Sequence, residues 1–486
     1  MPRSRPPVPT LLAFFVLFVL AAAVAWSFWG YSYDDAFITY RYARDWAATG
    51  RLEYNPGAAV LGTSAPGYAL LLGALAKLSG LPVPAWGTLL AVLSLLITAL
   101  VARLALGASP PVVRDGVPLL FGAGALLLRW NVEMLGAEQL PILALGASAA
   151  CLALRGGRPA AAGLLASAAM TCRLDAALLA GVLGLALWIR ERRFPWRFAV
   201  AGLLPISLFL LYLYAAFGTI LPNTMAAKQS ELGAAHVSYT LEEWAWLRRE
   251  LPLAGCLVLL ALAGWGAVEG VLACRRRGFP AVFPAMALGG VAALWIVAHE
   301  IAYRLLRVPF APWYQVYLIN GLLLLAAFGA SRLASRAPRA VQLPLAAVLL
   351  LPVLLPSARF VRDFWRRPPD PRWDGYVAAG RFIREHRGAS VAAVEIGFLG
   401  WEAEAPVLDL MGLVRPDALA ARKRGDLPAL VAREGPEYLV DATLFRDPWL
   451  NPILSHPAIA AGYREVASFP DGRDPGLRVR LLRRTP

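Results

Sequence analysis

Long apolar runs alternate with short polar connections over most of the chain, and that rhythm stops near residue 358. Runs of about 20 apolar residues have the length of membrane-spanning helices. On this rule about eleven helices are predicted: near 11–30, 84–106, 117–130, 139–154, 159–172, 174–190, 197–217, 252–273, 280–299, 310–330 and 340–358. Two further segments read as helices of a different kind. Residues 34–48 carry Tyr40, Tyr42 and Trp46, which suit the headgroup level. Residues 66–79, "PGYALLLGALAKLS", are short for a crossing and read as interfacial or re-entrant. Beyond Pro356 the runs "SVAAVEI", "APVLDLM" and "EYLVDA" predict strands, and Tyr376–His386 has a helical pattern. The expected architecture is an α-helical polytopic membrane domain over 1–358, followed by a small soluble α/β domain over 359–486.

Charge orients this pattern. The chain is 58% hydrophobic and 16% charged, against roughly a quarter charged in soluble domains. Its mean hydropathy is +0.56. The net charge of +15 would suit a nucleic-acid binder, but the arginines fall in clusters between apolar runs rather than on one face. The clusters are Arg3 and Arg5, Arg103 and Arg114, Arg155 and Arg158, Arg190 to Arg197, Arg275 to Arg277, and Arg332 to Arg339. Such clusters mark cytoplasmic loops. Counting 66–79 as a crossing would turn every later cluster outward, so the charge pattern argues against it. The N-terminus is then expected in the cytoplasm and the C-terminal domain outside it. "MPRSR" and the apolar run after it resemble a signal peptide, but no small-residue cleavage site precedes the polar Tyr31–Asp35 stretch. The cysteines Cys151, Cys172, Cys256 and Cys274 lie in or beside apolar runs and lack metal-ligand spacing.

With this topology the outer side collects the polar residues that carry chemistry. Asp34, Asp35, Arg41, Arg44, Glu53 and Asn55 come from the first loop. Glu133, Glu138 and Gln139 lie in the next, and Arg173 with Asp175 in a later turn. Asn223, Thr224 and Lys228 follow, then His299, Glu300, Arg304 and Arg307. Each has a plain structural reading. An aspartate before "AFITYRYARDW" can cap that helix. Arg173 and Asp175 can be a simple ion pair, Lys228 can snorkel, and Glu138 can cap the helix after it. Capping accounts for one of Asp34 and Asp35 better than for both, because adjacent carboxylates resist joint ionisation without a cation or strong donors. Such a pair suits a general base with a metal or hydroxyl partner. Transporters, by contrast, place ionisable residues mid-helix and often show inverted repeats, and neither is evident here. Together the residues describe an outward-facing cleft in which cations hold a phosphate and an acid activates a hydroxyl.

The segment "YDDAFITYRYARDWAATGRLEYNPGAAVLGTSAPGYALLLGAL" resembles the first external loop of bacterial GT-C glycosyltransferases. More narrowly it is similar to the branch with mycobacterial terminal arabinofuranosyltransferases and mannosyltransferase-like proteins. "GAEQLPILAL", "CRLDAALL", "FGTILPNTMAAK", "FAPWYQVYLI" and "EIGFLGWEAEAPVLDLMGLVRPD" resemble later motifs of that group, in the same order. The matches span about Tyr33 to Asp417. There are departures: Asp45 stands where Asn is usual, Gln139 replaces Thr, Trp401 replaces Tyr, and Arg173-Leu174-Asp175-Ala176 lacks the usual proline and glycine.

The resemblance implies a multi-pass bacterial plasma-membrane enzyme that moves a sugar from a polyprenyl-phosphate carrier to an extracytoplasmic glycan, lipid or protein. It implies inversion at the anomeric carbon and an acid of the first loop as base. Asp34, Asp35 and Glu138 match the catalytic acids of such enzymes, with Asp34 the first choice as base. Arg41, Asn55, Arg173, Asp175, Asn223, Lys228 and Arg304 are expected to bind donor phosphate or substrate. Asp34 and Asp35 are also candidate ligands for a divalent cation, Mg or Mn. The second reading is a non-catalytic, transport or assembly protein for lipid-linked sugars.

Overall fold

The computed structural model describes residues 8–106, 109–230, 242, 245–248, 251–277, 293–306, 311–471 and 474–485. Helices dominate. Among the described residues four are long and apolar enough to cross a membrane: Val83–Ala105, Trp196–Phe217, Trp313–Ala334 and Arg339–Asp363. Shorter apolar helices lie at Leu12–Ser27, Gln139–Leu154, Pro159–Cys172 and Leu253–Glu269. Helices Pro111–Leu127 and Ala177–Glu191 complete the set matching the apolar runs. The helix expected at 280–299 falls mostly outside the described residues, as does Arg307; residues 293–305 are helical.

The chain divides into two compact units. The first holds 1–29, 87–209 and 235–367; the second holds 30–86, 210–234 and 368–486. The second therefore gathers segments far apart in sequence, and the hydropathy change near 358 does not mark its extent.

The first unit is built from the apolar helices. Buried polar groups there need partners, since no water satisfies them in a lipid-facing bundle. Asn131 and Asn320 meet this demand reciprocally, each amide donating to the other's oxygen at 2.9 and 2.8 Å.

In the second unit the helices Asp34–Thr49 and Pro66–Ser79 occur where the polar–apolar pattern placed them. Each ends on a glycine in the left-handed region, Gly50 at φ 76° and Gly80 at φ 74°. They pack closely at Gly73, where a Cβ would stand 2.6 Å from the Ala43 carbonyl oxygen. The C-terminal part carries a five-stranded sheet of order β2-β1-β3-β5-β4. Its strands are β1 (Val391–Ala393), β2 (Val407–Asp409), β3 (Tyr438–Ala442), β4 (Tyr463–Asp471) and β5 (Asp474–Arg484). β1 pairs parallel with β2 and β3, while β5 runs antiparallel to β3 and β4. β1, β2 and β3 are buried throughout, as parallel strands covered on both faces require. The helix Trp373–Glu385 buries Tyr376, Val377, Ala379, Gly380 and Ile383, a helical stripe on one face. The first three strands and this helix answer the sequence expectation; the β4–β5 hairpin lay outside it.

Candidate active site

The second unit contains the acidic step of the first loop. Tyr33 is extended and gives no side-chain cap to the helix that starts at Asp34. Asp34 nevertheless works as a cap, for a different helix. Its Oδ2 accepts the N–H of Gly397 at 3.0 Å and its Oδ1 that of Phe398 at 2.8 Å. These are the first N–H groups of the helix Gly397–Ala403, which an intrahelical ladder leaves without partners. The approach depends on glycine: a Cβ on Gly397 would lie 1.9 Å from the Asp34 carbonyl oxygen. The Asp34 backbone N–H in turn donates to Asp370 Oδ2 at 3.2 Å.

Arg372 completes this cradle. Its guanidinium bonds Asp370 Oδ2 at 2.7 Å and Glu395 Oε1 at 2.9 Å. Burial pushes the Asp34 carboxyl well above the usual range, and nearby Glu395 pushes it the same way. The Arg372 charge and the Phe398 N–H pull against this without reversing it. Asp370 lies low: burial raises it, and Arg372 outweighs burial.

Asp35 differs from its neighbour. Its side chain keeps 25% exposure, and its Oδ2 meets Lys228 Nζ at 3.2 Å. Lys228 sits on the short helix Asn223–Ser230. Arg422 bonds the Ala227 carbonyl of that helix at 2.9 Å and also Ser230 Oγ. Asn223, at its start, donates to the carbonyls of Gly412 and Leu413 at 2.6 and 3.1 Å. One carboxylate oxygen from each of Asp34, Asp35 and Glu395 lies within 4.8 Å of the others. All three are hard oxygen donors of the kind Mg²⁺ or Mn²⁺ takes.

Arg41 and Asn55 serve the fold of this unit. Arg41 is buried and donates to the carbonyls of Gly400 and Ala405 at 2.7 and 2.9 Å. Asn55 pairs with Val407 on edge strand β2, donating to its carbonyl at 2.8 Å and accepting its N–H at 2.9 Å. The amide thus covers backbone groups that an edge strand leaves open.

The first unit holds the other candidates. Arg173 bonds Glu138 at 2.7 Å, Asp175 at 3.0 Å and the Tyr303 hydroxyl at 3.0 Å. Tyr303 donates to Asp175 at 2.5 Å and stacks on His299, with ring centroids 4.1 Å apart. Burial raises Asp175, but the Arg173 charge and hydrogen bonds outweigh it and hold the carboxyl low. Arg304 pairs with Glu300 at 2.7 Å, one helical turn away.

Sequence reasoning missed Glu395, Arg372 and Asp370 around the acidic step, and Tyr303 beside Arg173. Glu395 opens the quoted "EIGFLG" stretch, so an acid directly before a glycine turn was the available signal.

Comparisons with known proteins bear on the fold. A family model described as a domain of unknown function (DUF8728) matches residues 366–483, which include Asp370, Arg372 and Glu395. No curated protein matches the sequence. Solved structures do. ArnT from Cupriavidus metallidurans bound to undecaprenyl phosphate aligns with TM-score 0.60 and 13% identity, over 98% of this chain and 98% of that one. The Archaeoglobus fulgidus oligosaccharyltransferase, tethered with an acceptor peptide, aligns with TM-score 0.59 and 11% identity, over 94% of this chain and 73% of that one. The chain shares the fold of these two solved structures, in agreement with the fold expected from the resemblance. The chain is accordingly a multi-pass membrane protein, and its α-helical architecture with a small C-terminal sheet agrees with the expected class.

Proposed function

We propose that this protein is an integral-membrane glycosyltransferase. It takes a sugar from a polyprenyl-phosphate carrier and passes it to a hydroxyl of an extracytoplasmic glycan, lipid or protein, with inversion. The observation that carries the reading is the Asp35–Lys228 pair at 3.2 Å, with a partly open carboxylate, beside the buried and fully engaged Asp34. The likeness to ArnT bound to undecaprenyl phosphate supports a lipid-phosphate donor.

In this mechanism the acceptor oxygen attacks the anomeric carbon as the bond from that carbon to the phosphate oxygen breaks. The acceptor proton passes to Asp35, and the lipid phosphate leaves with the bonding electrons. A phosphate leaving group needs cationic stabilisation more than proton donation. Lys228 supplies it by turning from Asp35 to the phosphate, which frees the carboxylate as base. Asp34 is the first choice from sequence, but both its oxygens hold backbone N–H groups, so it orients the step and Asp35 does the chemistry. Asp34 and Asp35 would hold a divalent cation through their remaining lone pairs, which would add positive charge against the leaving phosphate.

The test uses purified protein and a panel of polyprenyl-phosphate sugars. Asp35→Asn is expected to lower turnover roughly a hundred- to ten-thousand-fold, the usual contribution of a positioned base, with unchanged melting. Near wild-type turnover in that variant would remove Asp35 as base. Transfer from a soluble nucleotide sugar without any lipid carrier would overturn the donor class. The C-terminal part is proposed to face outward, so in whole cells an impermeant thiol reagent should label Asp374→Cys and spare Arg193→Cys, in a background without native cysteines.

A further inference from the structure

The C-terminal residues do more than lie beside the first loop, because they contain the groups that grip Asp34. Asp34 is fully buried. It touches Gly397 and Phe398 through its carboxylate and Asp370 through its backbone N–H. Two more carboxylates, Asp35 and Glu395, lie within 4.8 Å of its own. Asp34, Asp35 and Glu395 would repel one another if left charged and alone at this spacing. Lys228 bonds Asp35, and Arg372 bridges Asp370 and Glu395. The Arg372 side chain is 19% exposed and makes bonds to two carboxylates at 2.7 and 2.9 Å. A lysine cannot reproduce that fork, since its ammonium is a point charge without the planar donor geometry.

We infer that Arg372 is a positioning residue for sugar transfer: by clamping Glu395 to Asp370 it holds the Gly397–Phe398 cradle on Asp34 and so aims Asp35 at the acceptor. This inference rests on the proposed transfer reaction. It also assigns a task to the segment matched as a domain of unknown function, which carries every member of the clamp. Arg372 itself touches neither sugar nor phosphate. Its removal leaves the Lys228 end of the site intact, so donor binding is preserved while the geometry of attack is lost.

The kinetic arm compares wild type with Arg372→Lys, Arg372→Gln and the double variant Arg372→Gln/Glu395→Gln, all corrected for folded protein. Arg372→Gln should lower kcat about a hundredfold, the scale of a misplaced reacting group, with the donor KM within about twofold, since KM is unmoved when only transition-state geometry is lost. Arg372→Lys should fall between the two. Glu395→Gln removes the other half of the clamp, so the double variant should lie within about twofold of Arg372→Gln, because two halves of one contact are not additive. A purely structural role would instead lower the folded fraction and leave kcat per folded molecule near wild type. That result, or a double variant about tenfold or more below Arg372→Gln, overturns the inference.

A second arm needs no turnover. Asp35→Cys is combined with Arg372 or with Arg372→Lys, and its rate of modification by a small thiol reagent is measured. A change of about fivefold or more is expected if the clamp sets the direction of position 35. Equal rates in the two backgrounds overturn the inference even if every lipid-linked sugar tried proves inert. Inert wild-type protein with a changed labelling rate would instead overturn the transfer reading and leave the clamp standing.

Discussion

Asp409, at the end of strand β2 in the second unit, and Asp175, beside Arg173 in the first, are both carboxylates taken largely out of water. They titrate in opposite directions. Asp409 accepts N–H groups from Met411 at 2.9 Å and Val414 at 2.8 Å, yet burial still pushes it up to about 6. Asp175 also feels burial, but Arg173 bonds it and holds it low. Backbone dipoles soften the cost of a buried charge; a guanidinium in contact reverses it. The acidic step follows the first pattern at Asp34, which rests on backbone N–H groups and sits among other acids. The first unit follows the second pattern, with Glu138, Arg173 and Asp175 locked together. The second unit therefore keeps reluctant acids at Asp34 and Asp409, while its Asp370, bonded by Arg372, follows the second pattern.

The comparison breaks most directly at Arg173. Arg173→Gln strands Glu138 and Asp175 without their cation, and breaking a buried pair this way costs about 3–5 kcal/mol. Thermal unfolding in detergent should show that loss, and melting within a degree of wild type would mean the network contributes nothing.

Gly397→Ala tests the other pattern. Its methyl would meet the Asp34 carbonyl oxygen at 1.9 Å. Overpacking of this kind costs about 1–3 kcal/mol, and turnover should fall with it because the cradle moves off Asp34. An alanine variant with native melting and native turnover would show that the cradle tolerates displacement.

The two carboxylates also predict opposite pH profiles. Asp409 is raised in the folded state, so its stabilisation is present below its unfolded value of about 3.9 and is lost as pH climbs through about 6. Asp175 is lowered, so its stabilisation is present above about 3.9 and is lost as pH falls below it. Melting curves of Asp409→Asn and Asp175→Asn should each lose one of these slopes, the first between about pH 4 and 6 and the second in more acidic buffer. The same slope missing from both variants would contradict the assignment.

The smallest effect is expected at Arg304. Its partner Glu300 is one turn away, and its side chain is 35% exposed. Such pairs contribute about 0.3–0.5 kcal/mol, so Arg304→Gln should melt almost as wild type. A raised donor KM in that variant would support the phosphate-binding role expected of Arg304 from sequence.

The helices were legible because their signal is local. The apolar runs of 84–106 and 197–217 reappear as Val83–Ala105 and Trp196–Phe217, since length and apolarity suffice to specify a span. The strands "SVAAVEI" and "EYLVDA" were legible for the same reason. The β4–β5 hairpin was not: "YREVASFPD" and "DPGLRVRLLRR" are rich in polar and charged residues, and pairing rather than apolar content makes them strands.

The candidate site divides along the same line. The sequence by itself determined which residue types were on hand: paired acids after the first helix, an arginine–aspartate turn, and a lysine after "FGTILPNT". Which groups each one touches depends on the fold. Arg41 and Asn55 read as substrate-binding groups, and folding turns them into clamps on Gly400, Ala405 and Val407. Asp34 reads as a base or as the cap of its own helix, and folding makes it the cap of a helix some 360 residues away. A polar side chain's role is set by which partner satisfies it once water is removed, and for these residues that partner comes from distant sequence.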